Sequence, residues 1–286
     1  MHAFPETPPL AEADPLTGHL WIQERPTGGR LRFRIADSGR IVLGTDRPGD
    51  AGADLPPPYR PGARTVRERV DRDAFLSVAD DPDAVTFFGV ATWNEGIDYD
   101  WSALPAFVGT DVRAGSNGAC LSPDAATAAF ERLDLPALPA VETELPRSRA
   151  DLDRYEGADR FPESAYRDGP AAGLLVRDKT GGRARIDHPD HPGRAPGDVS
   201  NASETTATAE TLAAECATPA AIDRTVERLR DEGQAPTVGA VRDRLVADLA
   251  RERYASLFPG GEPVVPVAAF ESAVAERVQR RLYRST

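Results

Sequence analysis

The sequence predicts an α+β protein: an antiparallel, β-rich core with flanking helices, followed by a small all-helical domain. Three observations carry this expectation. Runs rich in β-branched and aromatic residues fall before about residue 190. Short polar, glycine-bearing bends join several of them, as they join neighbouring antiparallel strands. Beyond about residue 204 every periodic run reads as helix, so strands come first and helices last. The expected division is a Pro-rich arm over 1–18, a β-rich domain over 19–190, a linker over 191–204 and a helical domain over 205–286.

The elements follow in order. Residues 1–18 are acidic and rich in proline, and read as an arm. LWIQ is a strand ending in the bend Glu24-Arg25-Pro26-Thr27-Gly28-Gly29. RLRFRI leaves that bend with strict alternation, Leu31, Phe33 and Ile35 on one face and Arg30, Arg32 and Arg34 on the other. The bend is therefore expected to join two strands of one sheet. Asp37-Ser38-Gly39 turns into a third strand, RIVLG, and residues 48–61 read as loop. A helix with Val66, Val70 and Phe75 on one face is expected over ARTVRERVDRDAFLSVADD. AVTFFGVATW and LPAFVGTDVR are strands around the aromatic turn NEGIDYDW. Ser122 and Pro123 open a helix as N-cap and first residue. Residues 135–169 read as irregular, and AAGLLVRD and GRARIDH form a hairpin through Lys179-Thr180-Gly181-Gly182. Four helical runs follow, with Thr218 and Thr237 as caps.

Composition narrows the function. Net charge is −12, and of 34 basic residues only Lys179 is a lysine. An acidic surface almost without lysine fits a high-salt cytoplasm; a GC-rich genome moving Lys codons to Arg produces the same bias. Nucleic acid would have to bind a local basic patch, and salt would weaken that contact. Cys120 and Cys216 lie far apart, which fits reduced thiols in a cytoplasmic protein. No signal peptide is recognisable, and no apolar run approaches the roughly 20 residues of a membrane helix. The expected localisation is cytoplasmic, without membrane contact.

Taken together and in order, several motifs resemble those of the archaeal-type RNA ligases, within the ATP-dependent covalent nucleotidyltransferase superfamily. E-R-P-T-G resembles motif I, E-K-x-D-G, matching at Glu24 and Gly28. FFGVATWNEGIDYDW resembles motif III, and AFVGTDV resembles motif IIIa with Asp111 as its acidic residue. GPAAGLLVRDKTGGRARIDHPD resembles motif IV followed by motif V, with Arg177, Arg183 and Arg185 as the basic positions. The resemblance spans about His19 to Asp190 and implies an ATP-grasp-like nucleotidyltransferase core.

The departures fall on the chemistry. In that family the motif I lysine attacks the α-phosphate of ATP; here Arg25 stands there. Lysine can be tuned to a free amine, whereas a guanidinium stays protonated and is a poor nucleophile. The motif III and motif IV glutamates are Val90 and Ala172, and an apolar side chain cannot hold a hard cation. Thr27 replaces the motif I aspartate, and Thr110 an aromatic of motif IIIa. The resemblance therefore implies a degenerate ligase with no intact catalytic residue. A nucleotide- or RNA-end-binding site would remain at Glu24, Arg25, Gly28, Arg177, Arg183 and Arg185, with Arg25, Val90 and Ala172 facing one groove. One alternative is an active ligase using ATP and Mg2+, with Lys179 as displaced nucleophile. Another is a non-catalytic subunit that partners an intact paralogue. His188, Asp190 and His191 read as linker, not as a metal site; Asn201-Ala-Ser203 is a chance sequon, and Arg277, Arg280, Arg281 and Arg284 read as a solvated helix face.

Overall fold

The computed structural model describes residues 1–46, 55–115, 118–191 and 208–283. Most of the expected linker, the Asn201 sequon, Arg284 and most of the loop before Leu55 lie outside the described residues. The chain forms two compact units, Met1–Gly193 and Arg194–Thr286.

The first unit holds two antiparallel sheets. The strands are β1 (His19–Glu24), β2 (Gly28–Ile35), β3 (Ile41–Thr45), β4 (Thr86–Thr92), β5 (Phe107–Ala114), β6 (Ala119–Cys120), β7 (Ala140–Pro146), β8 (Gly173–Asp178) and β9 (Arg183–Asp187). One sheet has the order β7-β1-β8-β9 and the other β3-β2-β4-β5-β6. The α+β expectation holds, with one correction. β1 and β2 lie in different sheets, so the bend at residues 25–27 carries the chain between sheets instead of closing a hairpin. Alternation in RLRFRI predicts a face correctly, but it carries no information on which strand lies beside it.

On β2, Leu31, Phe33 and Ile35 are fully buried. Phe33 stacks on Phe87 of β4 with ring centroids 4.8 Å apart, and Phe107 and Phe130 pack edge-on around them. Phe130 comes from α3 (Pro123–Arg132), which Ser122 opens without a side-chain capping bond. The predicted helix after residue 60 is two, α1 (Arg60–Arg69) and α2 (Arg72–Leu76). Val70 leaves helical geometry at ψ 117°, and the Asp71 carboxylate accepts from Ala74 N–H at 2.9 Å to start α2. The predicted irregular stretch contains β7, an edge strand on β1. Its Glu142, Thr143 and Glu144 leave no apolar alternation to read, and register shifts interrupt its pairing.

The second unit is helical over its described residues: α4 (Ala209–Cys216), α5 (Pro219–Asp231), α6 (Val238–Glu252), α7 (Tyr254–Leu257) and α8 (Val267–Tyr283). Thr208, Thr218 and Thr237 each accept a hydrogen bond from the backbone N–H three residues on, capping α4, α5 and α6. Ala213, Leu229, Val241, Val246, Val274 and Val278 fill its core. The arginine stripe of α8 is tied down in part: Arg281 makes a two-pronged pair with Asp223, and Arg277 donates to the Ala217 carbonyl.

Candidate functional site

The end of β1 delivers two side chains to different surroundings. Glu24 is buried, accepting from Ser164 Oγ at 2.5 Å and from Ala165 N–H at 2.7 Å. Burial raises its pKa above the usual carboxylate value, and those two bonds offset only part of the rise. Arg25 follows, its N–H donating to the Gly173 carbonyl at 2.8 Å. Its guanidinium crosses the bare α-carbon of Gly173, where an added Cβ would lie 3.3 Å from Nη2. It pairs with Asp187 at the end of β9. Arg185 reaches the other oxygen of the same carboxylate at 3.4 Å. The buried Nε atoms of Arg25 and Arg185 have no acceptor. Two guanidiniums thus share one carboxylate and keep donors to spare.

Gly28 fixes the start of β2. Its φ is 151°, and an added Cβ would stand 2.2 Å from the Ala91 carbonyl oxygen and 2.6 Å from Val90 Cγ1. Val90 is half-buried on β4, directly between Arg30 of β2 and Val108 of β5. Residues directly opposite in antiparallel strands share a face. Val108 packs with Leu175 of the other sheet, so that face looks toward the space between the sheets. Ala172 is buried with Ile97, Tyr99, Leu104 and Tyr166. Burial raises both tyrosine pKa values, and the nearby Glu24 adds to the rise. Tyr99 also holds the bend, its oxygen accepting from Thr27 N–H at 3.2 Å, while Thr27 Oγ1 donates to the Trp93 carbonyl. Ala172 is therefore packed among aromatic side chains, and an oxygen-seeking cation finds no donor there. Among the described residues no group of three or more His, Cys, Asp or Glu is placed to hold a metal ion.

Arg177 and Arg183 stand opposite each other on β8 and β9. Both donate to Asp111 Oδ1 at 2.9 Å. Arg177 adds bonds to Gln23 Oε1 at 3.1 Å and to the Thr110 carbonyl at 2.5 Å. Burial pushes the Asp111 carboxyl up, but the Arg177 and Arg183 charges and the hydrogen bonds it accepts together outweigh it and hold it below the usual range. This buried cluster pins one sheet to the other. Lys179 sits at the tip of the β8–β9 hairpin, exposed, with Nζ 2.6 Å from Glu144 and 3.7 Å from Asp124. It lies past the end of β8 opposite to the one Arg25 touches, a strand length of roughly 20 Å away at about 3.3 Å per residue.

The structure thus brings Arg25 and Arg185 together, and separately Arg177 and Arg183 around Asp111. It keeps Lys179 apart from Arg25 and Arg185. Sequence reasoning missed Gln23, Ser164 and Asp187. It also missed Phe4, whose ring lies 5.4 Å from Phe88 and 4.9 Å from the Arg32 guanidinium carbon. Gln23 offered a signal, as a polar residue inside an apolar strand; Phe4 in its proline-rich arm offered none.

No protein-family model matches this sequence, and neither does any curated protein. Among solved structures it is similar to two forms of an archaeal ATP-dependent RNA ligase. The identities are 16% and 14%, the TM-scores 0.45 and 0.48, over 65% and 99% of this chain and 48% and 66% of those chains. A Naegleria gruberi RNA ligase solved with ATP and Mn is similar at 12% identity and TM-score 0.46, over 64% of this chain and 55% of that one. The chain spans from about half to two thirds of the length of these proteins. The likeness is loose.

Proposed function

We propose that the chain is an RNA-ligase-like protein that has lost self-adenylylation and retains a site for a nucleotide or an RNA end between its two sheets. The observation that carries this reading is the pairing of Arg25 and Arg185 on the single carboxylate of Asp187, with a buried, unused Nε on each. Two cations on one anion leave a net positive site, and guanidinium forks suit phosphate. Motif order supports the family: the motif I, III, IIIa, IV and V matches fall in turn on the β1–β2 bend, β4, β5, β8 and β9. The loss of chemistry is supported by the guanidinium of Arg25, which supplies no free amine, and by the packing of Ala172 among tyrosines. The distance from Lys179 to Arg25 argues against the hairpin lysine as a substitute nucleophile.

The test is incubation with α-labelled ATP and Mg2+ in high salt, followed by denaturing electrophoresis. Wild type should carry no label. Arg25→Lys alone should carry none either, because Val90 and Ala172 still lack the carboxylates that the family uses. Adding Val90→Glu and Ala172→Glu should recover weak labelling. A wild-type band that disappears in Lys179→Ala would overturn the reading and establish the hairpin lysine as the nucleophile.

A further inference from the structure

The leading arm lies across the space between the sheets. His2 N–H donates to Thr86 Oγ1 at 3.2 Å, and Arg32 Nη1 donates to the His2 carbonyl at 2.8 Å. Phe4 then sets its ring edge-on to Phe88, beneath Arg32 and within 5.9 Å of the Arg30 guanidinium carbon. Arg32, Phe88 and Asp111 occupy consecutive partner positions across β2, β4 and β5. Asp111 reaches the other sheet, so Phe4 sits on the face that looks toward it. The arm finally joins the free edge of β9, where Arg185 N–H donates to the Pro8 carbonyl at 2.9 Å. It thus touches both the aromatic–arginine platform of one sheet and the backbone of Arg185 in the other.

The chemistry of that platform is specific. An aromatic ring held by a neighbouring aromatic edge and a guanidinium is the arrangement that takes a nucleobase, and further guanidiniums take the phosphates that accompany it. Arg30 is exposed and has no carboxylate partner among the described residues. Arg32 carries a buried Nε without an acceptor. Phe4 followed by Glu6 offers the same pairing of ring and negative charge within the chain. Phe4 is itself only half-buried.

We propose that residues 2–9 are an internal competitor for single-stranded RNA: a base of the RNA end replaces Phe4 against Arg32 and Phe88, and its phosphates meet the Arg30 guanidinium. This rests on the reading of the cleft as an RNA-end site and adds the means by which that site is kept closed. The test is fluorescence anisotropy of a short, end-labelled single-stranded oligoribonucleotide at fixed salt. It compares wild type, Phe4→Ala and a variant lacking residues 1–9, each first checked for folding by circular dichroism. Both variants should bind about tenfold more tightly, because a site occupied by its own chain binds in proportion to its open fraction. Adding the RNA to wild type should also speed hydrogen exchange at the Arg185 amide, which the arm covers. In the truncated variant, Arg30→Gln should return the affinity toward wild type.

Equal RNA affinity in all three proteins would overturn the competitor and leave the cleft reading standing. Weaker binding by Phe4→Ala would make the arm part of the RNA site and overturn it too. A gain that survives Arg30→Gln would place the RNA elsewhere. No binding by any of the three would remove the cleft reading and this inference together.

Discussion

Asp111 accepts from Arg177 and Arg183 in a place where water does not reach, and neither guanidinium has another carboxylate close by among the described residues. Removing one member of such a cluster leaves charge buried without compensation, so Asp111→Asn should cost about 3–5 kcal/mol in urea unfolding. A loss below about 1 kcal/mol would mean the two arginines find other partners. The pH dependence has a definite sign. A carboxyl held below its unfolded value of 3.8 contributes stability above that value and loses it as pH falls through the folded pKa. Wild type should therefore lose this contribution below about pH 4, and Asp111→Asn should lack that limb of the profile. At this scale the chemistry of single side chains was legible in the sequence: a guanidinium supplies no free amine in any fold, and that required no coordinates. That Arg177 and Arg183 pair with Asp111 was not legible, because the pairing bridges two sheets and no local pattern encodes it.

The bend between β1 and β2 is the element on which the proposed site depends. It places Arg25 over Gly173, and Gly28 brings β2 against Ala91 and Val90 closely enough to exclude a methyl group. Gly28→Ala must move the β4 backbone, since the blocking atom is a carbonyl oxygen and not a side-chain tip. A loss of roughly 2–4 kcal/mol is expected, with a matching fall in melting temperature. A melting temperature within a degree or so of wild type would show that the bend tolerates the change. Strands with apolar alternation, such as β2, and the β8–β9 hairpin were readable. β7 was not, because an edge strand with a polar sequence has no apolar face to announce it. The break between α1 and α2 was readable in principle from Asp71, a capping residue set between two short apolar periods.

For the whole molecule, the acidic excess sets the expected response to salt. A net charge of −12 on a chain with a single lysine implies self-repulsion that mobile ions screen. The melting temperature should climb as KCl is raised from dilute buffer to molar concentration, and a flat profile would remove the high-salt reading. The order of strands has a consequence in time as well as in space. The sheet from β2 to β6 is built from one continuous stretch of chain, Gly28 to Cys120. β1 belongs to the other sheet, and its Leu20 must wait for Leu145 and Asp178 before it can pair on either side. Distant pairings close late because the intervening loop must first be ordered. During synthesis β1 leaves the ribosome before β2 to β6, yet it should find its neighbours after they have found theirs. In refolding followed by pulsed hydrogen exchange, amides of β2 and β4 should become protected before those of β1, and simultaneous protection would show that the two sheets form as one.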